Sequence, residues 1–191
     1  MCCGPVIFTL DGMKPAVIVL HGPTSAGKSS LASALQNLAP VPAFHVALDA
    51  FVTMSRRRDM RSPEEVRKAY HLHCENLRSV LARVVETEFE IIVDLVLRDE
   101  AELQETFRVL SRRPMYLVSV QAPLEVLEER ERQREDRGNG MAREQYENPA
   151  FRRNYDLVID TSKHSSESGA IAVRNFVRNH PRHGNHAGNA G

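Results

Sequence analysis

Gly22-Pro23-Thr24-Ser25-Ala26-Gly27-Lys28-Ser29 matches the spacing G-x-x-x-x-G-K-[ST], and its flanks give that spacing a structural meaning. Before it runs Lys14-Pro15-Ala16-Val17-Ile18-Val19-Leu20-His21, a short β-branched stretch suited to a buried parallel strand. After it, Leu31, Leu35 and Leu38 recur at helical spacing until Pro40 and Pro42 remove the backbone donors that a helix needs, which predicts a helix over 28–38. Strand, glycine turn and helix in immediate succession constrain the chain to open as an α/β unit with an anion cradle at the turn.

The same alternation continues. Strands are expected at 44–49, 90–97, 115–120 and 155–160, and helices at 99–110, 123–135 and 165–179. A longer helix starts at Ser62-Pro63-Glu64-Glu65, where an N-cap, a first-turn proline and a capping-box glutamate coincide. Its apolar stripe takes in Val66, Tyr70, Leu77, Val80, Leu81 and Val84, and His73 falls on it. Such alternation argues for a doubly wound parallel sheet with right-handed crossovers. The length of 191 residues and the absence of repeats or linkers make residues 1–179 one domain. Residues 180–191, rich in Gly, Asn and His, are expected to be a disordered tail and not a metal site.

Charge excludes some partners. Lys plus Arg and Asp plus Glu number 25 each, so no overall field favours nucleic acid or an anionic membrane. Asp11 and Lys14 interrupt the apolar stretches near the start, which disfavours a signal peptide or membrane span. Cys2, Cys3 and Cys74 form neither a disulfide framework nor a C-x-x-C zinc pair, pointing to a reducing, cytoplasmic setting.

The chemistry expected of the loop is phosphate binding. Its glycines let successive N–H groups curl around a β-phosphate at a helix N-terminus, with Lys28 bridging β- and γ-phosphates and the Ser29 hydroxyl ligating Mg²⁺. ATP or another nucleoside triphosphate is therefore the expected ligand. Asp94, in the third strand, suits the Mg²⁺ shell, although a strand-end aspartate also caps turns. Asp49, read as the last residue of the second strand, suits a general base for a hydroxyl acceptor; a turn cap is its plainer role. Phe51 and Met54 could line an apolar acceptor pocket or simply pack in the core. The stretch from Arg130 through Arg134 and Arg137 to Gly140 reads as a lid over about 130–150, or as a solvated face of Glu/Arg pairs. His71, with Cys74 and Arg78 on a neighbouring stripe, is a candidate for the acceptor side.

Taken together, the loop Gly22 to Ser29, Leu48-Asp49, Ile91-Ile92-Val93-Asp94, Tyr155-Asp156 with Asp160-Thr161, and the run Arg130-Glu131, Arg134, Asp136-Arg137, Gly140-Met141-Ala142 resemble the chloramphenicol phosphotransferase-like family of P-loop kinases. The resemblance implies a three-layer P-loop NTPase fold of the nucleoside and shikimate kinase type, with a five-stranded parallel sheet in the order 2-3-1-4-5. It implies Asp49 as base, Lys28 with Arg130, Arg134 and Arg137 on the phosphates, Ser29 and Asp94 around Mg²⁺, and Gly22 to Ser30 with Thr161, Ser162 and Lys163 around the nucleotide. The expected activity is ATP-dependent transfer of a γ-phosphoryl group to a small-molecule hydroxyl, with antibiotics such as chloramphenicol among the acceptors; a homo-oligomer is compatible with it. Residues 51–70, with Arg56-Arg57-Arg58, depart from any pattern assignable to chloramphenicol and would suit an acidic or polar acceptor. Nucleoside, sugar and nucleotide-sugar kinases share the scaffold, and a nucleotide-binding regulator or toxin component is the reading from another class.

Overall fold

The computed structural model describes residues 15–97, 99–133 and 140–182. Its centre is β1 (Val17–His21), buried at all of its positions. In chain order follow α1 (Lys28–Asn37), β2 (Ala43–Ala47), α2 (Leu48–Val52), α3 (Pro63–Val84), β3 (Glu90–Leu95), α4 (Glu100–Leu110), β4 (Met115–Gln121), α5 (Leu124–Arg132), α6 (Met141–Glu147), β5 (Leu157–Asp160) and α7 (Ser166–Asn179), with 3-10 turns at Arg57–Asp59 and Pro149–Phe151. The five strands are parallel in the order β2-β3-β1-β4-β5, as expected from the resemblance.

Alternation along β1 divides the core between the two faces. Val17 and Val19 join Leu77 and Leu81 of α3 and Leu103 and Leu110 of α4. Ile18 and Leu20 join Leu31 and Leu35 of α1, Leu127 of α5, Ala142 of α6 and Val173 of α7. Covering both faces is what lets a parallel strand be a continuous apolar run, and each such side chain contributes about 1.5–3 kcal/mol by its burial. One ion pair is sunk into this packing. Glu90, 4% exposed at the start of β3, accepts from Arg174 of α7 at 2.5 and 2.7 Å, and Arg174 also reaches the Leu35 carbonyl at the end of α1.

Some boundaries differ from the sequence reading, and one difference touches chemistry. Strand β2 ends at Ala47, the last residue paired with β3, and the chain turns at once into α2, so Asp49 is the second residue of a short helix and not the end of a strand. Strand β3 stops at Leu95, α5 at Arg132, and β5 begins at Leu157; Asp156, just before it, donates its N–H to the Leu117 carbonyl of β4, while its carboxylate accepts from Leu117 N–H and pairs with Arg182. The expectations for Arg134, Arg137 and residues 183–191 lie outside the described residues. No described helix is long and apolar enough to cross a membrane.

Candidate active site

The loop between β1 and α1 owes its shape to residues on three sides. A Cβ built on Gly22 would stand 2.0 Å from the Val120 carbonyl oxygen of β4, so only glycine lets the loop leave the sheet here. Gly27, at φ +88°, makes the left-handed turn into α1. Thr161, just past β5, donates its hydroxyl to the Ala26 carbonyl at 2.9 Å and packs against Gly27. Lys28 is 6% exposed, and its ammonium donates to the Pro23 carbonyl at 2.8 Å, spanning the loop from within.

Ser29 and Asp94 meet. The Ser29 hydroxyl donates to Asp94 Oδ2 at 2.7 Å, and His45 Nε2 stands 3.7 Å from the same oxygen, beyond hydrogen-bond length. Burial opposes ionisation of Asp94, but His45, the Lys28 charge and the Ser29 hydroxyl outweigh it and hold the carboxyl below its ordinary range. Register places Ala47 of β2 beside Asp94, so Asp49 follows two residues beyond the corner that Ser29 and Asp94 form. An ionised carboxylate and a hydroxyl beside a lysine fit Mg²⁺, which takes one or two protein oxygens and keeps water and phosphate for the rest.

Arg130 sits on the far side of the loop. Its guanidinium donates to Thr161 Oγ1 at 2.8 Å and the Thr161 carbonyl at 2.9 Å, and reaches the Ser25 carbonyl at 3.4 Å. Next to it Glu131, 2% exposed, accepts from Gly140 N–H and Ala142 N–H at 2.9 and 2.8 Å, which fixes the start of α6 against α5. From α6, Gln145 accepts the Thr24 N–H at 2.6 Å. Ser30 is exposed on the first turn of α1, and Ser162 and Lys163 are turned to Asp160, whose carboxylate takes Ser162 N–H, Ser162 Oγ and the Lys163 ammonium.

On the face of the sheet that α3 and α4 cover, His71 of α3 donates from Nδ1 to the Glu102 carboxylate of α4 at 2.7 Å, and Arg78 donates to the same carboxylate. Tyr70, His71, Asp99 and Asn148 line a cleft of about 330 Å³. Cys74 does not line this cleft: it is fully buried in the core beneath α3, where burial first and the Glu102 charge second push its thiol up to about 11. Phe51 is likewise packed into the core at 8% exposure, whereas Met54 is 70% exposed, so the structure does not assemble the apolar pocket expected of that pair. His73 is a core residue, its Nε2 bonded to the Ser55 hydroxyl at 2.7 Å.

The family model described as chloramphenicol phosphotransferase-like protein matches residues 15–178. The chain belongs to that family. Its fold is shared with solved structures at low identity. These include the Deinococcus radiodurans tunicamycin resistance protein, at 18% identity over 87% of this chain and 95% of that one with a TM-score of 0.62. The Mycobacterium tuberculosis APS kinase CysC in complex with AMPPNP and APS is similar at 16% identity, over 87% and 99%, with a TM-score of 0.63. Shikimate kinase from Bacteroides thetaiotaomicron is similar at 18% identity, over 85% and 98%, with a TM-score of 0.58. None of the curated proteins matches the chain. As a member of the chloramphenicol phosphotransferase-like family the chain is a P-loop kinase in fold and phosphate loop.

This family member also carries a buried histidine that the sequence reading passed over. His21, fully buried at the end of β1, stacks on Phe151 with ring centroids 4.7 Å apart. Its Nε2 lies 2.9 Å from the Leu97 carbonyl and its Nδ1 2.8 Å from the Tyr155 hydroxyl. A carbonyl only accepts, so Nε2 carries the proton and Nδ1 accepts from Tyr155. Burial, with a smaller push from Lys28, brings the pKa down from 6.5 to about 4, against the Leu97 bond that favours the charged form. The folded state thus prefers neutral His21. Its contribution is complete above pH 6.5 and is lost as pH falls towards 4, by about 3 kcal/mol from the shift itself. Thermal unfolding at pH 7 and pH 4.5 measures this: His21→Gln, which keeps one donor and one acceptor, is expected to show a shallower loss of Tm than the native chain. An equal loss in both would place the acid sensitivity elsewhere.

Proposed function

We propose that this chain is an ATP-dependent O-phosphotransferase that moves the γ-phosphoryl group to a hydroxyl of a small molecule, antibiotics such as chloramphenicol included. The observation that carries the proposal is the corner where Ser29 Oγ meets Asp94 Oδ2 at 2.7 Å, with Lys28 behind it and Asp49 two residues beyond the paired Ala47. A lysine, a hydroxyl, a strand carboxylate and a nearby aspartate are the groups that phosphoryl transfer to an alcohol uses, and they support this reading.

In this reading Ser29 and Asp94 hold Mg²⁺, which when bound neutralises charge on the phosphates. The N–H groups of the loop, Lys28 and Arg130 serve the nucleotide phosphates, and the loop of Thr161, Ser162 and Lys163 borders the base. The acceptor enters from the cleft of Tyr70, His71, Asp99 and Asn148. As the bond from acceptor oxygen to γ-phosphorus forms, the bond from γ-phosphorus to the β,γ-bridging oxygen breaks. The electron pair leaves with ADP, and the acceptor proton passes to Asp49. A consumer of ATP with this chemistry is assigned to the cytoplasm.

The test is to incubate the protein with ATP, Mg²⁺ and a panel of alcohols that includes chloramphenicol, nucleosides and sugars, and to look for the mass of one added phosphoryl group. Transfer to at least one acceptor, abolished when Mg²⁺ is chelated, is the expected result. Tight nucleotide binding with no transfer to any member of a broad panel would favour a nucleotide-binding regulator and sink the kinase reading.

A further inference from the structure

A second cavity, of about 190 Å³, opens beside the start of the loop between β1 and α1. Its walls include Gly22, Ser119 and Gln121 of β4, Tyr146 of α6, and Phe151 with Arg152 at the 3-10 turn that follows. None of these lines the cleft of Tyr70, His71, Asp99 and Asn148. Four of them carry polar side chains that the protein leaves unused. Among the described residues, the Ser119 and Tyr146 hydroxyls, the Gln121 amide and the Arg152 guanidinium have no hydrogen-bond or ion-pair partner.

Sheet register explains why these groups share one face. Ser119 pairs with His21 across β4 and β1, and paired residues of a parallel sheet project to the same side. Gln121 comes next on that side, two residues along the strand. His21 stacks on Phe151, so Phe151 covers the sheet where Ser119 stands. Ser119 is 6% exposed and lines the cavity, so the little surface it keeps opens there. A hydroxyl that deep without a protein partner destabilises the fold unless something from outside bonds it. The opposite wall is ordered. Asn148 Oδ1 accepts from Ala150 N–H and the Arg152 N–H donates to the Pro149 carbonyl, both at 2.8 Å, while Arg153 pairs with Glu100 of α4. Arg152 thus rides on a fixed turn while its own charge is uncompensated.

The lining selects the occupant. Arg152 is the only charged residue among those that line the cavity, so one negative charge is favoured, and a guanidinium matches the two coplanar oxygens of a carboxylate. Phe151 and Tyr146 offer ring surface, which pairs well with another flat ring. A volume of about 190 Å³ lies below the roughly 300–1,000 Å³ of pockets for drug-sized ligands, so a single ring is the size that fits. We propose that this cavity binds a small aromatic carboxylate, with its acid group on Arg152 and its ring against Phe151, at a site separate from the nucleotide and from the acceptor cleft. Ser119, Gln121 and Tyr146 supply hydrogen bonds to polar substituents on the ring. Such a site goes beyond the kinase reading and does not require it.

Benzoate, benzamide and acetate are the probes, titrated into the full chain with Mg²⁺ and saturating AMPPNP so that the phosphate loop is already filled. Backbone amide shifts are expected to show saturable benzoate binding, with benzamide, which lacks the charge, and acetate, which lacks the ring, each about tenfold or more weaker. Arg152→Gln is expected to weaken benzoate by about tenfold and to leave benzamide and AMPPNP affinities unchanged, the last of these showing that the variant is folded. Absence of benzoate binding, or equal binding to the native chain and Arg152→Gln, overturns the proposal. Equal affinity for benzoate and acetate overturns it too, because an exposed cation would then account for the binding. So does benzoate that binds only when AMPPNP is left out, since it would be occupying the phosphate loop. A native chain that binds no AMPPNP counts against the kinase reading alone; the comparison of benzoate on the native chain and on Arg152→Gln still decides this site.

Discussion

Asp49→Asn is expected to lower the rate of phosphoryl transfer by about 10²–10⁴-fold while leaving ATP binding unchanged. Asparagine matches aspartate in shape, and Asp49 is only partly buried on the first turn of α2, so the exchange leaves the packing of Leu48 and Phe51 on either side intact. What it removes is an oxygen able to take the acceptor proton as the new bond to phosphorus forms. In the proposed reading the nucleotide is held elsewhere, by the loop and the corner where Ser29 bonds Asp94, so KM for ATP is not the parameter expected to move. Single-turnover transfer measured beside ATP titration separates the two. Transfer that survives in Asp49→Asn with a verified acceptor would mean that the proton leaves by another route. Asp94→Asn provides the contrast: with Asp94 in the proposed role of metal ligand, its loss is expected to raise the Mg²⁺ concentration needed for half-maximal rate.

Gly22→Ala carries the largest expected effect on stability. The added methyl would lie 2.0 Å from the Val120 carbonyl oxygen and 3.1 Å from its carbon, and both belong to backbone. β4 cannot retreat without breaking its pairing with β1, in which His21, the residue before Gly22, stands beside Ser119. The chain must therefore shift the loop or part the strands, at a cost of about 3 kcal/mol or more. For a chain of this size that lowers Tm by roughly 6–12 °C. Nucleotide affinity should fall with it, since a displaced loop no longer turns its N–H groups to one point. Differential scanning calorimetry and ATP titration check both; an unchanged Tm would show that the loop has slack at Gly22. Ser25→Gly, three residues along the same loop, is expected to act in the opposite sense on stability, because Ser25 holds a left-handed φ of +60° that glycine adopts without strain, whereas here alanine creates a clash.

The phosphate loop and the sheet were legible because each rests on local pattern. The β-branched run of Val17 to Leu20 is buried throughout, and the leucines of α1 face that core. The helix start at Ser62-Pro63 is as its capping residues predict, with Ser62 accepting from Glu65 N–H. Asp49 was placed in the right neighbourhood but on the wrong element, since the end of β2 depends on where its pairing with β3 stops, which no local signal reports. His71 and Cys74 show the same limit. Three positions apart on one helix, they were read as one side, yet Cys74 falls wholly within the core and His71 meets Glu102 across α4.

Sequence alone determined that a strand, a glycine turn and a helix follow one another over Val17 to Asn37, that Lys28 and Ser29 begin that helix, and that strands and helices alternate around a parallel sheet. Those properties arise from period, propensity and backbone freedom, which neighbours in the chain set. Tertiary structure decided the rest: that Ser29 bonds Asp94, that Gln145 and Arg130 grip the loop from 121 and 105 residues away, and that His21 is neutral between Tyr155 and Leu97. Charge state, strain and the pairing of distant polar groups depend on which surfaces exclude water together, and only the folded sheet brings those surfaces into contact.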